Sequence, residues 1–483
     1  MSTSRGLLRS GGAATVAQLV RILSLQAAHI VAGRYVAPGE WGIWVWLEPV
    51  FLLLATVRDL GVSNHVMRLK PMPFGTFLRV ELIWGSTLGA AVFAGAPWIA
   101  TALAGGGAGV AAGIRVLTLG LVLEGLGAVA MSWFEAKLQI ERTLAAEFLR
   151  TGAYCTVVLA GAVSGLGFWS FIAGQIAGQA LFALELWRRA RGEIQLHHVP
   201  GSTLAVVRDS LPLMGVWWLT TALASSDAFV VGRLFDPRLL GLYGVGYSFA
   251  FLVFRVLQQP FARSLYPALV AYNEEPARQF RAYRLATLLF LALEVPAALL
   301  LAANADLVAL VMRGEQYLGA APYLALLAFA PLADPFGRFG GELLVARGLD
   351  RTRVVSLALQ LGARVGGGVA LSLWLGSPFG MAWANFLPLG APVIVVALVR
   401  AGAGAELRRL TRELAGVFVA PLVPFALAWY AAGSDRWLRL ALTLVAAALA
   451  LAWTWYRHGA DFRDFFAGPK APVPAPAAHL ETQ

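Results

Sequence analysis

Apolar residues gather in runs of roughly 18–23 along most of the chain, the length that crosses a hydrocarbon core of about 30 Å. The runs fall at 12–33, 41–62, 80–102, 113–133, 147–165, 168–187, 211–232, 241–263, 284–303, 320–342, 354–375, 379–400, 414–432 and 437–456. Read as helices, they predict about fourteen transmembrane spans. Successive loops then alternate between membrane faces, so Lys and Arg test the count. With the N-terminus inside, cytoplasmic segments hold about 25 of the 38 basic residues, the opposite face about seven and the spans about six. That bias predicts a multi-pass protein of the bacterial cytoplasmic (inner) membrane with both termini in the cytoplasm.

Two stretches repeat one punctuation. "GRYVAPGEWGIW" occupies 33–44 and "GRLFDPRLLGLY" occupies 232–243. Each follows an outward-running span, the first and the seventh. Arg34 and Arg233 suit helix C-termini, where the dipole favours a cation. Pro38 and Pro237 stop one helix, and Gly42 and Gly241 permit close packing at the start of the next. Six spans separate the copies, so both have the same orientation. This spacing predicts two parallel six-helix halves related by an axis along the membrane normal. The expected division is 1–187 and 211–400 for the halves, 188–210 for a cytoplasmic linker, 401–456 for helices thirteen and fourteen, and 457–483 for a disordered Pro/Ala-rich tail.

Composition supports a membrane protein. Of 483 residues, 59% are hydrophobic and 13% charged, whereas a soluble chain carries about a quarter charged residues. The net charge of +11 follows from loop topology and calls for no nucleic acid. Arg5 and Arg9 precede an apolar stretch as in a signal peptide, but that stretch exceeds an h-region and contains Arg21, so it is read as a retained helix. The lone Cys155 permits no intrachain disulfide. "EAKLQIERTLAAEF", between spans four and five, can form a short amphipathic surface helix.

"AGRYVAPGEWGIWVWLEPVFLLLATVRDLGVSNHVMR" resembles the opening of bacterial polysaccharide transporters in the multidrug/oligosaccharidyl-lipid/polysaccharide exporter superfamily. "GRLFDPRLLGLYGVGYSFAFLVFRVLQQPFARSLYPAL" and "LLVARGLDRTRVVSLALQLGARVGGGVALSLWLGSPFGMAWANFL" extend the resemblance over most of 10–400. It implies an all-α fold of two pseudo-symmetric bundles in a V, as in MATE transporters, with an alternating central cavity and two extra C-terminal helices. It also implies a polyprenyl-diphosphate-linked oligosaccharide, the precursor of a surface polysaccharide such as O-antigen, as cargo. Membrane lipids, a polysaccharide polymerase and glycosyltransferases are the implied partners.

No GxxxxGK[ST], HExxH, DxD or CxxC motif occurs, so an ATP pump or a metal-dependent transferase is not expected, and neither catalytic residues nor cofactors are assigned. The chemistry lies in charges within spans, which are costly unless paired or facing water. Gln18, Arg21 and His29 share one face of the first span. Asp334, Arg338 and Glu342 stand at i, i+4, i+8 in the tenth, and Gln360 and Arg364 at i, i+4 in the eleventh. Arg255 lies in the eighth span and Asp227 in the seventh. Arginine predominates, and its fixed fork of donors suits a diphosphate or an acidic sugar. Arg21, Arg255, Arg338, Arg364, His29, Gln18 and Gln360 are therefore the expected substrate-binding set. Asp227, Asp334 and Glu342 are candidates for ion coupling or gating. Three readings follow: a lipid-linked oligosaccharide flippase, a cation-coupled drug exporter of the same fold, and a membrane glycosyltransferase or glycan polymerase.

Overall fold

The protein was analysed as a computed structural model, which describes residues 18–67, 72–104, 108–137, 139–198, 203–387 and 390–466. Every regular element among them is helical. The segment before residue 18 and residues 467–483 lie outside the described residues, whereas 457–466, expected to begin the disordered tail, continue the last helix to Phe466. Among the described residues, ten helical stretches are long and apolar enough to cross a membrane, against the fourteen spans expected. The helices α1 (Gln18–Ala32), α6 (Ile140–Val163) and α7 (Trp169–Ala190) fall outside that criterion, α1 by its length.

The first half continues with α2 (Pro38–Asp59), α3 (Val62–Val66), α4 (Phe74–Ala104) and α5 (Ala108–Ala136). The "EAKLQIERTLAAEF" stretch is not a separate surface helix. It is the junction of α5 and α6, held where Arg142 donates to both Glu193 oxygens at 2.7 and 2.9 Å.

α8 (Thr203–Leu234) passes from one half to the other. Near its start Ser210 donates to the Leu60 carbonyl at 2.9 Å, and near its end Asp227 pairs with the second half. α9 (Pro237–Ala271) and α10 (Pro276–Ala303) follow. A short helix not expected from the sequence, α11 (Ala305–Arg313), precedes the predicted tenth span. That span, one candidate membrane crossing over Glu315–Ala346, is not a uniform rod: a 3-10 turn at Glu315–Ala320, α12 (Ala321–Leu327), a second 3-10 turn at Ala330–Ala333 and α13 (Asp334–Ala346) follow one another. Gly314, at φ 90°, makes the corner that returns the chain after α11.

α14 (Asp350–Leu375), α15 (Phe379–Ala384), α16 (Gly390–Leu398), α17 (Gly404–Val419), α18 (Leu422–Ala432) and α19 (Arg436–Phe466) complete the chain. "ELRRLTREL" is the body of α17. Its Glu406 and Glu413 accept from the fully buried Arg284 of α10 at 2.7 and 2.5 Å.

The apolar core shows how the halves meet. At the end bearing the repeated stretches, here called the motif end, one continuous cluster joins Trp41, Trp44 and Phe51 to Tyr243, Tyr317 and Leu324. Away from it the core divides. Phe74, Phe77, Trp133 and Phe134 form one cluster in the first half; Phe254, Tyr283, Phe290 and Phe339 form another in the second. The halves are fused at one end and separately packed at the other.

Candidate functional site

The repeated stretches pack against each other. A Cβ on Gly42 would overlap the carbonyl oxygen of Pro237, and a Cβ on Gly241 would overlap that of Pro38. The starts of α2 and α9 therefore touch main chain to main chain, which only glycine permits. Gly232 has a related role, since a Cβ there would lie 2.6 Å from Cδ1 of Trp46.

Beside this crossing, the end of α1 is bound to the α11 corner. Arg34 donates to the Val311 carbonyl at 2.8 Å, Gln316 to Gly33 at 3.1 Å and Tyr317 to Val36 at 2.9 Å. Arg34 thus bridges the halves as well as ending a helix. Arg313 completes the closure. Its guanidinium lies 3.9 Å from the centre of the Trp41 ring, and a Cβ on Gly33 would strike it. Arg313 is 1% exposed, and its Nε and Nη1 have no acceptor among the described residues.

Between the halves, the charges sort into three groups. Arg255 of α9 is exposed and, among the described residues, donates to backbone carbonyls of its own helix, Phe251 at 3.3 Å and Ser248 at 3.2 Å. It lies close enough to Glu48 of α2 and His29 of α1 to act on both electrostatically. Glu48 is likewise exposed and has Arg255 as a charged neighbour. His29 exchanges a 2.7 Å hydrogen bond with Tyr154 and meets Trp41 and Phe171 edge-on.

The second group is buried in the second half. Asp227 accepts from Tyr243 and from Asn385 at 2.8 Å, and it pairs with Arg364 at 3.1 Å. Arg364 in turn donates to the Tyr247 hydroxyl. The expected ion-coupling carboxylate and one of the expected diphosphate binders are partners of each other. Gln360, one turn away, spans the break between α15 and α16, donating to Leu387 at 3.1 Å and accepting from the Gly390 N–H at 3.0 Å.

The third group is peripheral to Arg255. Arg21 donates to Gln18 at 3.1 Å and has Glu147 and Arg150 of α6 as charged neighbours, while His29 stands apart from that pair. On α13, Arg338 lies 5.7 Å from the Phe254 ring centre, and Glu342 follows one turn on. The side chain of Asp334 lies outside the described residues. Arg58 pairs with Glu81 of α4 at 2.5 Å rather than with its sequence neighbour Asp59.

Two residues in these arrangements escape a reading of the spans. Glu48 stands in the middle of the second span, whereas the span's other carboxylate, Asp59, lies near its end, and that central position was a usable signal. Arg313 sits between the predicted ninth and tenth spans, where nothing local marks it for burial.

The sequence profile of the polysaccharide biosynthesis protein family matches residues 30–322. No curated protein matches the sequence. Among solved structures, the lipid II flippase MurJ in an inward closed conformation has a TM-score of 0.71 at 12% identity, covering 93% of this chain and 99% of its own. An inward-facing multidrug resistance MATE family transporter of the MOP superfamily scores 0.65 at 13% identity, covering 82% and 98%. A MOP superfamily transporter from Pyrococcus furiosus, described by the reverse polarity of its binding pocket, scores 0.56 at 15% identity, covering 84% and 96%. With this all-helical membrane architecture in place, the chain belongs to the polysaccharide biosynthesis protein family and is built on the fold shared by MATE transporters and the lipid II flippase.

Proposed function

We propose that the protein is a flippase for a lipid-linked oligosaccharide with an anionic head, and that Arg255 is its principal anion-binding group. One observation carries the reading: Arg255 is an exposed arginine between the halves whose hydrogen bonds go to backbone carbonyls rather than to a carboxylate. A diphosphate or acidic sugar offers better acceptors than a carbonyl, and guanidinium binds such oxyanions through two parallel hydrogen bonds. Arg21 and Arg338 serve as auxiliary cations, with His29 and Gln18 in support. Arg364 and Gln360 stabilise the second half and act on cargo only indirectly. The positive-inside bias places the motif end on the outer face and both termini in the cytoplasm. The structure then corresponds to the state open to the cytoplasm, and parting of the crossing releases cargo outside. The two halves are the six-helix units at 1–187 and 211–400, with helices thirteen and fourteen appended.

The test compares R255A and R255K for surface glycan and for protein abundance. Loss of glycan at normal abundance in R255A, with partial recovery in R255K, is expected. Normal export by R255A removes the assignment.

Cation-coupled export of an organic cation is the second reading, and Glu48 favours it. An exposed carboxylate in a membrane cavity attracts cations as Arg255 attracts anions. Asp227 contributes less to that reading, because Arg364 already supplies its counter-ion; Asp334 and Glu342 remain the gating candidates. E48Q separates the two, since it should abolish organic-cation efflux from proteoliposomes and leave glycan export largely intact.

A further inference from the structure

Away from the site between the halves, a groove of about 280 Å³ opens on the outside of the first half, between the beginning of α4 and residues 194–198. Its floor is Leu78, with Leu82 and Ile83 one turn further along the helix. Leu82, Ile83 and Leu196 are 44%, 62% and 42% exposed, so the wall is greasy and open. Its rim carries Arg79 and His198, both exposed, and no carboxylate pairs with either among the described residues.

The groove is a built feature. Gly75 and Thr76 donate to the His197 carbonyl at 2.8 and 3.4 Å, which straps the connecting segment across the helix. A Cβ on Gly75 would lie 2.6 Å from the Leu196 carbonyl oxygen and 2.8 Å from Cε1 of His198, so the close seating depends on glycine.

We propose that this groove binds an anionic phospholipid, with the lipid phosphate between Arg79 and His198 and an acyl chain along Leu78, Leu82 and Ile83. The charge and the greasy wall lie end to end, in the order in which a lipid at a membrane surface presents phosphate and hydrocarbon. Basic pockets beside transmembrane helices on the cytoplasmic side recognise anionic head groups in this way. A free phosphate would use only the rim, and a zwitterionic lipid would bring its own cation toward Arg79. The bound lipid joins α4 to the segment that leads into α8, and so couples the surrounding bilayer to the element that passes between the halves. This inference is independent of the cargo assignment.

Purified full-length protein is titrated with phosphatidylglycerol, phosphatidylcholine or glycerol phosphate, with retained molecules counted by native mass spectrometry and thermal stability followed in parallel. Phosphatidylglycerol is expected to be retained and to stabilise. Each of R79Q and H198Q should weaken retention, R79Q by about five-fold for the loss of one cation. R79K should keep most of it, and G75A should lose it while retaining both basic side chains. If a glutamine variant fails to fold, G75A against R79K decides. Equal retention of phosphatidylcholine, an equal effect of glycerol phosphate, or undiminished phosphatidylglycerol retention in both R79Q and G75A overturns the proposal.

Discussion

Two arginines, Arg313 fully buried and Arg364 half-buried, occupy opposite circumstances. Arg364 lies inside the second half with a carboxylate, Asp227, as counter-ion and with Tyr243, Tyr247 and Asn385 around the pair. Arg313 lies between the halves with the face of Trp41 against it and no acceptor for two of its nitrogens. Burying a charge costs several kcal/mol unless a partner compensates, and a cation–π contact returns only about 2 kcal/mol when desolvated. A permanent interior can hold a compensated pair indefinitely. A joint that has to part gains from a cation that regains water on opening, so Arg313 keeps the closure shallow.

The largest expected effect comes from breaking the compensated pair. D227N strands Arg364 and should cost about 3–5 kcal/mol of stability, measured by denaturation in detergent. D227L with R364M should recover much of that, because an apolar replacement of a whole buried pair is often tolerated. Full stability of D227N alone would show that the pair contributes nothing.

Arg313 should respond with the opposite sign. R313M removes the uncompensated charge at similar volume and should stabilise the closed motif end by about 1–4 kcal/mol. Spin labels at the exposed positions Tyr35 and Val311, in a C155S background, would report a narrower distance distribution, and transport should fall. A broader distribution would mean that Arg313 is a plain latch.

Next in size, G42A should oppose closure. Its methyl group meets the Pro237 carbonyl, and overpacking of this kind costs about 1–3 kcal/mol. The same labels should move apart, and G241A should reproduce the effect. Q316A removes one neutral hydrogen bond across the halves and should widen the distribution only slightly, at about 1 kcal/mol.

The exposed pair of Arg142 and Glu193 marks the bottom of the scale. The Arg142 guanidinium holds the Glu193 carboxyl below the usual carboxylate range. Its stabilising contribution is therefore present above that range and is lost as pH falls through the lowered value. R142A should leave thermal stability near neutral pH unchanged, because solvent screens such pairs.

Much of the helical architecture was legible because apolar run length is a local property. The repeated Pro and Gly positions were legible too, and their spacing anticipated that the copies are related, though not that they touch. The breaks were less readable. Apolar content continues through 320–342, but Gly314 and the 3-10 turns set the path. Charges were visible as residues and illegible as pairs. Nothing near Asp227 in sequence points to Arg364, and Arg58 has Asp59 beside it yet pairs with Glu81 across a helix. Distant contacts of this kind are tertiary, and periodicity carries no trace of them.

At the crossing of α2 and α9, polypeptide meets polypeptide with no side chain interposed. Such a joint has no rotamers through which to yield by degrees, and each glycine is seated against the other helix's proline or is clear of it. Passage through the motif end should accordingly proceed in discrete steps, with opening and closing as single cooperative events rather than a graded loosening.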